Sequence, residues 1–240
     1  MEIADMHCHV IPAVDDGAAD MNETRAMLDI AYKEGIRLMV VTPHYHIGKM
    51  KVSSDSLAAG VAQLKDICAQ SYPGLKIYPG QEIYYYSDAV KDLNEKRAST
   101  IAGSRYVLLE YSTTVSFHEL RDSVYEMVTE GYIPIIAHAE RYGRLHEDID
   151  LVRQLIDDGA YIQINAGSVT GKSGNTVKRF VKKLLKYHMV HFVATDAHDC
   201  KNRAPHIKAS AEYIRKKYGN EYAVELFLKN ILTVIQDEYI

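Results

Sequence analysis

Met1-Glu-Ile-Ala-Asp-Met-His-Cys-His-Val10 is the stretch that decides the fold. Ile3 to Met6 reads as a short strand, with His7-Cys8-His9 at its end. Side chains alternate along a strand, so residues two apart share a face. His7 and His9 can therefore hold one metal ion together, while Cys8 turns the other way. A lone His-x-His pair is a weak signal in a chain with 11 histidines. It gains weight from Asp16, His44, Glu82, Glu110, His138, Asp196 and His198. Each of these except Asp16 follows closely on an apolar, strand-like run.

Outward from that stretch, residues 10–20 form a polar loop broken by Pro12 and Gly17. A helix is expected from about Asn22 to Glu34, capped by Asn22 or Asp20 and ended by Gly35. Strands are expected over Ile36–Thr42, Leu75–Pro79, Arg105–Leu109, Tyr132–Ala137, Tyr161–Ile164 and Val190–Thr195. Between them lie helical patterns over Ser53–Gln70, Tyr86–Ala98 (rather exposed), Ser116–Glu130, Glu147–Asp158 and Thr176–Tyr187. Helices from about Pro205 to Lys217 and from Glu221 onward close the chain. Strand–helix alternation with strands apolar on both faces argues a parallel sheet with right-handed crossovers. Seven units in 240 residues predict a single α/β domain over residues 1–240. The expected architecture is a distorted (β/α)7 TIM-like barrel, close to the usual barrel length of about 250 residues. An open doubly wound sheet is the competing arrangement. In a barrel, chemistry sits at the carboxyl ends of the strands, and six of the seven predicted strands end in a candidate ligand.

Composition narrows the function classes. The apolar share, 47%, is ordinary for a globular protein, and the net charge is 28 − 32 = −4. That balance gives no electrostatic case for nucleic acid or an anionic membrane. No apolar run approaches the roughly 18 residues of a membrane span, and Met1 leads straight into a strand without a signal segment. Three cysteines (Cys8, Cys68, Cys200) do not make a disulfide framework; a cytoplasmic location is expected.

The nine candidates are five histidines and four carboxylates, too many for one ion and suited to two or three. Mixed imidazole and carboxylate ligands suit Mn²⁺, Fe²⁺ or Zn²⁺. The absence of cysteine among them argues against a closed structural zinc site. A carboxylate such as Glu82 or Glu110 can bridge two ions. Bridged ions activate a shared water and clamp a displaced phosphoryl group, so the anticipated reaction is metal-assisted hydrolysis of a phosphate ester.

At this point the motifs meet a family. His7-x-His9, Thr42-Pro-His44, Gly80-x-Glu82, Glu110, His138-Ala-Glu-Arg141 and Asp196-Ala-His198 resemble the motif set of the polymerase and histidinol phosphatase (PHP) superfamily. Within it, His7-Cys-His-Val-Ile-Pro-Ala-Val-Asp-Asp-Gly17 resembles the bacterial manganese-dependent protein tyrosine phosphatases of capsule and exopolysaccharide loci. The resemblance covers nearly the whole chain and implies a trinuclear manganese site. By it, His7, His9, Glu82 and Asp196 hold one ion. Glu82, Glu110 and His138 hold the second, and Asp16, His44 and His198 the third. Arg141 grips the phosphate, with Arg203 as a second contact. A metal-bridged hydroxide attacks phosphorus directly, and the substrate is the phosphotyrosine tail of a cognate bacterial tyrosine kinase. Two positions depart from the family: Ala13 stands where Gly is usual, and Ala139 where Pro usually follows the histidine. The chain also lacks the Cys-x5-Arg loop of cysteine-dependent phosphatases.

Other classes compete. A small-molecule phosphatase of the same superfamily, on histidinol phosphate for example, shares the chemistry. An amidohydrolase also opens with His-x-His on a barrel, but wants a bridging Lys where Glu82 or Glu110 stands. A metal-binding regulator without turnover is the non-enzymatic reading. Asp15 competes with Asp16 as a ligand. His46, His118, His146, His188, His191 and His206 read as surface or packing histidines. Tyr84-Tyr85-Tyr86 reads as rim and core packing, with stacking on a phosphotyrosine ring as the alternative. The basic face of the 176–187 helix reads as solvated. That helix and the apolar stretch Leu226–Ile235 leave room for self-association.

Overall fold

The structure is a computed structural model and describes residues 2–240. Among the described residues the strands are β1 (Ile3–Cys8), β2 (Ile36–Val41), β3 (His44–His46), β4 (Met50–Lys51), β5 (Lys76–Pro79), β6 (Glu82–Tyr84), β7 (Tyr106–Glu110), β8 (Ile133–Ile136), β9 (Tyr161–Asn165) and β10 (Phe192–Ala194). β1, β2 and β5 pair in that order, and β3, β6, β7, β8, β9 and β10 pair in that order, every step parallel. β2 runs into β3 and β5 into β6 after short interruptions. At the first, Pro43 has no N–H to give to a ladder, and its carbonyl accepts from Glu82 N instead (3.2 Å). At the second, Gly80 packs so closely that a Cβ there would lie 2.9 Å from Ile101 and 3.0 Å from Val40. β10 then returns to β1: Asp196 N donates to His7 O and His9 N to Ala197 O, both at 2.8 Å. The pairing is thus a closed circuit. Setting aside β4, an antiparallel flap on β3, and counting each interrupted strand once leaves seven of the ten strands. This is the expected seven-membered barrel, and it excludes an open sheet.

The helices are α1 (Met21–Lys33), α2 (Ser54–Ser71), α3 (Ala89–Asn94), α4 (Phe117–Thr129), α5 (Gly143–Glu147), α6 (Ile149–Asp157), α7 (Ala166–Thr170), α8 (Asn175–Lys186), α9 (Lys208–Tyr218), α10 (Asn220–Val224) and α11 (Asn230–Ile235). Local chemistry sets their ends. Asp20 caps α1 through Asn22 N and Glu23 N, which settles the choice between Asp20 and Asn22. Ser116 and Glu119 form a reciprocal capping box on α4. Asp148 caps α6, so the helix expected over Glu147–Asp158 starts at Ile149, and the short α5 precedes it.

Two apolar cores result. The larger lies between sheet and helices and includes Met27, Leu64, Val124, Leu155 and Leu184. The smaller fills the barrel with Met6, Leu108, Ile135 and Phe192. Ile231 and Val234 of α11 belong to this inner core. The stretch Leu226–Ile235 is therefore mostly buried, not left as an association surface: Ile231 and Val234 plug the inner core, while Leu226 and Phe227 are buried in the larger one.

The segment expected as an exposed helix over Tyr86–Ala98 is also different. Only Ala89–Asn94 is helical, and Ala89, Val90, Asp92 and Leu93 are buried. The reason is Asp92. Its carboxylate accepts hydrogen bonds from the Tyr45 and Tyr86 hydroxyls and from Arg97 Nε, the last at 2.6 Å. Burial alone would raise the carboxyl's pKa, but these donors hold it at about 2. The folded value lies below the unfolded one, so the stabilisation is present above the ordinary carboxyl range and is lost as pH falls towards 2. Asp92→Ala leaves the hydroxyls of buried Tyr45 and half-buried Tyr86 without their acceptor and should cost roughly 2–4 kcal/mol, read as a fall in the urea midpoint with an unchanged slope. A loss below about 0.5 kcal/mol, the size of an ordinary surface substitution, would contradict this role.

Candidate metal centre

β1 does more than end in two histidines. Its register against β2 slips between Asp5 and Cys8. Ala4 and Met6 lie in the inner core, whereas Ile3 and Cys8 lie in the outer one. Strict alternation would have put Cys8 with Met6; the bulge resets the phase. Cys8 thereby takes the outer face and His7 and His9 the inner one, with their Nε2 atoms 3.2 Å apart.

All nine candidates meet around these rings. Glu82 Oε2 lies 3.2 Å from His7 Nε2 and 3.3 Å from His9 Nε2, and Asp196 Oδ1 is 3.5 Å from His7 Nε2. The other oxygen of Glu82, Oε1, lies 2.9 Å from His138 Nε2, which is 3.5 Å from Glu110 Oε1. Asp16 Oδ1 is 3.2 Å from His44 Nε2 and 3.5 Å from His198 Nε2. The two Glu82 oxygens thus face different groups, as a bridging carboxylate does.

The donor chemistry fits cations. Second partners fix the ring tautomers. His7 Nδ1 faces Gln163 Oε1 (3.2 Å), His9 Nδ1 faces Asp15 Oδ2 (2.8 Å), and His198 Nδ1 faces the Asp196 carbonyl (3.0 Å). A hydrogen on each Nδ1 leaves a lone pair on each Nε2. Lone pairs and carboxylate oxygens then converge on the same small volumes. His44 Nδ1 and His138 Nδ1 are buried without hydrogen-bond partners. Among the described residues, three side-chain groups have ligand atoms close enough to share an ion: His9, Asp16, His44 and His198; His7, His9 and Glu82; and His44, Glu82 and Glu110. Nitrogen and oxygen donors without thiolate suit divalent first-row metals.

The two adjacent aspartates separate by direction. Asp15 is turned inward, where it receives His9, His44 N (3.0 Å) and Gly17 N (3.0 Å). Asp16, half exposed, faces His44 and His198. Gly17 is required here, because a Cβ would stand 2.2 Å from His9 O. Ala13, four residues earlier, has φ 59, the left-handed region that favours glycine. Two of the candidates, His138 (φ 31) and Asp196 (φ 52), share that conformation; such backbone persists where the surroundings over-determine it, commonly at functional sites.

Arg141 and Arg203 hold Asp196 from opposite oxygens. Arg141 pairs with Oδ2, and Arg203 Nη2 lies 2.9 Å from Oδ1. With Asp16, His44, Glu82, Glu110 and His198 they line a cavity of about 150 Å³. Three residues escaped the sequence reading. Gln163 also accepts from His138 N (2.7 Å), Asn165 Nδ2 donates to Asp196 Oδ2 (2.9 Å), and buried Glu140 accepts from Asn165 N (2.9 Å). Their signal was faint: Gln163 and Asn165 alternate at period two on the one strand without a ligand.

Electrostatics confirm a crowded site. Burial pushes the Glu110 carboxyl up to about 7, and the Glu82 charge adds to the shift. Burial lowers His44 to about 4. Burial also opposes charge on His9, yet the Asp15 and Glu82 carboxylates lift it to about 10. Burial puts the Cys8 thiol well above its usual value, so it is an inert core residue.

Two outcomes follow. The ion-free centre keeps protons on His9 and Glu110 near neutrality, and a cation must displace them, so affinity should rise with pH from 6 to 8. Calorimetry in buffers of different ionisation enthalpy should show about one proton or more released; no buffer dependence would contradict it. Ala13→Gly should stabilise the protein by about 0.5–1 kcal/mol in urea unfolding; destabilisation would contradict the backbone assignment.

Comparison with known proteins agrees with this geometry. The sequence-family model for capsular polysaccharide synthesis, CpsB/CapC, matches residues 3–236. The tyrosine-protein phosphatase CpsB of Streptococcus pneumoniae is 34% identical over 241 residues, covering 98% of this chain and 99% of that protein. The tyrosine-protein phosphatase YwqE of Bacillus subtilis (strain 168) is 34% identical over 233 residues, covering 94% and 91%. A solved structure of YwqE from Bacillus subtilis and CpsB from Streptococcus pneumoniae, described as metal-dependent tyrosine phosphatases, superposes with a TM-score of 0.93 at 32% identity, covering 99% and 96%. Histidinol phosphate phosphatase of Lactococcus lactis, solved with zinc, L-histidinol and phosphate, shares the fold at 14% identity (TM-score 0.60, covering 91% and 94%).

Proposed function

Because this chain belongs to the CpsB/CapC capsular polysaccharide synthesis family, we propose that it is a metal-dependent protein-tyrosine phosphatase. The observation that carries the reading is the placement of two guanidinium groups at the mouth of a nine-ligand cup. Such an arrangement is built for a dianionic phosphate, and less for a neutral amide. His7, His9, Glu82 and Asp196 would hold one cation; Glu82, Glu110 and His138 a second; Asp16, His44 and His198 a third. When bound, the cations supply Lewis acidity, making a water nucleophilic near neutral pH and withdrawing charge from phosphoryl oxygens.

The protein's own groups do the rest. Arg141 carries five N–H donors. Through one nitrogen it holds Asp196, so the remainder of its fork is open to two phosphate oxygens, a bidentate match. Arg203, anchored on the other Asp196 oxygen, offers a second cation to the same phosphate. Asp196 thus sets the position of both. The walls are buried imidazoles and carboxylates, which keep bulk water from screening these charges. Manganese is the metal this reading favours, since the donor set is rich in both imidazole and carboxylate. The substrate is the phosphotyrosine tail of a bacterial tyrosine kinase that controls polysaccharide assembly, which places the enzyme in the cytoplasm. Among the described residues no helix is long and apolar enough to cross a membrane.

Chelator-stripped protein should hydrolyse a phosphotyrosine peptide only after Mn²⁺ is restored. His138→Ala and Arg141→Ala should each lower kcat/KM by roughly 10²–10³, with histidinol phosphate a poor substrate throughout. Turnover of histidinol phosphate alone would move the protein to small-molecule chemistry, and metal-independent turnover would contradict the assignment.

A further inference from the structure

The catalytic cavity, about 150 Å³, accepts a phosphate but not the chain that carries it. Two larger grooves adjoin its mouth. One, of about 360 Å³, shares Arg141, Asp196 and Arg203 with the cavity and continues past Thr170, Lys172 and Ser173. The other, of about 400 Å³, shares Tyr84 and continues past Ser112 to Glu119 and Asp122. Their charges are opposite. In the first, Asp196 is the only acidic residue among the described lining, and two guanidinium groups already hold it. The second carries two carboxylates and no cation among its described lining residues.

Lys172 is placed by its backbone. Its N–H donates to Gly167 O (2.9 Å), and its stem lies over Gly167, where a Cβ would meet Lys172 Cδ at 3.4 Å. The absent side chain at Gly167 leaves room for that stem, and Lys172 lines the groove. The Thr170 hydroxyl is committed to Gly167 O (3.0 Å), while the Ser173 hydroxyl, 2.9 Å from Ser168 Oγ, adds a polar group to the wall without adding charge.

We propose that this cationic groove is a subsite for a second negative group, a carboxylate or another phosphate, on a residue neighbouring the scissile phosphotyrosine. The inference rests on the phosphatase reading above and adds the direction of the bound chain. The acidic neighbour lies towards Lys172, away from Glu119 and Asp122, which would repel it. Lys172 is a specificity-determining residue, not part of the reacting machinery.

The test uses metal-loaded protein and three labelled peptides bearing a non-hydrolysable phosphonate analogue of phosphotyrosine. Their flanking residues are glutamine, glutamate or a second phosphonate residue. Fluorescence anisotropy should show the glutamate or the double phosphonate peptide binding roughly three- to tenfold tighter than the glutamine peptide. Gain from both marks a general anion site, and gain from the double phosphonate alone marks a phosphate site; either supports the groove. Lys172→Glu should abolish the preference. Lys186→Glu, an equal charge change on the exposed face of α8, should preserve it. A preference absent from the native protein, retained in Lys172→Glu, or lost equally in Lys186→Glu would overturn the proposal. Hydrolysis of the matching phosphotyrosine peptides is followed in parallel. Binding preference lost in Lys172→Glu without any turnover would uphold the groove and sink the catalytic reading instead.

Discussion

Glu82 is a carboxylate with almost no solvent exposure, ringed by His7, His9, His44 and His138 at 2.9 to 3.3 Å. Burial opposes its charge, and the surrounding imidazoles nevertheless hold its pKa well below the usual range. A buried anion of this kind is costly unless it is paired. Cations held at the converging lone pairs would offset that cost, with Glu82 able to serve more than one of them. The rest of the molecule can be understood as the scaffold that brings four rings to one acid.

That scaffold works by departures from regular structure. A bulge in β1 turns the face shared by His7 and His9 inward. The interruption at Pro43 lets a strand resume as His44–His46, and the interruption at Gly80 lets another resume as Glu82–Tyr84, with His44 and Glu82 in register. Left-handed backbone at His138 and Asp196 ends two further strands at ligands. Behind the candidate ligands stand Gln163 and Asp15, whose hydrogen bonds choose the tautomers of His7 and His9, and Asn165, which donates to the Asp196 carboxylate. Such outer partners commonly matter to metal affinity nearly as much as the ligands do.

Much of this was legible in the sequence, for physical reasons. Buried parallel strands are apolar on both faces, so the seven units and their polar ends stood out, and the nine candidate side chains that the fold brings together could be named from the sequence. What stayed hidden depended on tertiary partners. Gln163 and Asn165 are amides, which carry no metal-ligand signature until a histidine is seen beside them. Tyr86–Ala98 looked exposed because the burial of Asp92 depends on Tyr45, forty-seven residues away. Leu226–Ile235 looked like a free apolar face because nothing local shows that a barrel floor needs a plug. Asp15 and Asp16 were indistinguishable by type, and only the turn at Gly17 points one inward and the other at His198.

The central claim is that one carboxylate organises a polynuclear centre. It is tested most directly by counting ions in purified protein, by elemental analysis after manganese loading, for the native chain and for Glu82→Gln. The account predicts two to three equivalents in the native protein and the loss of at least two in the variant, since Glu82 serves two sites through different oxygens. Loss of a single ion, or of none, with the fold retained would contradict it.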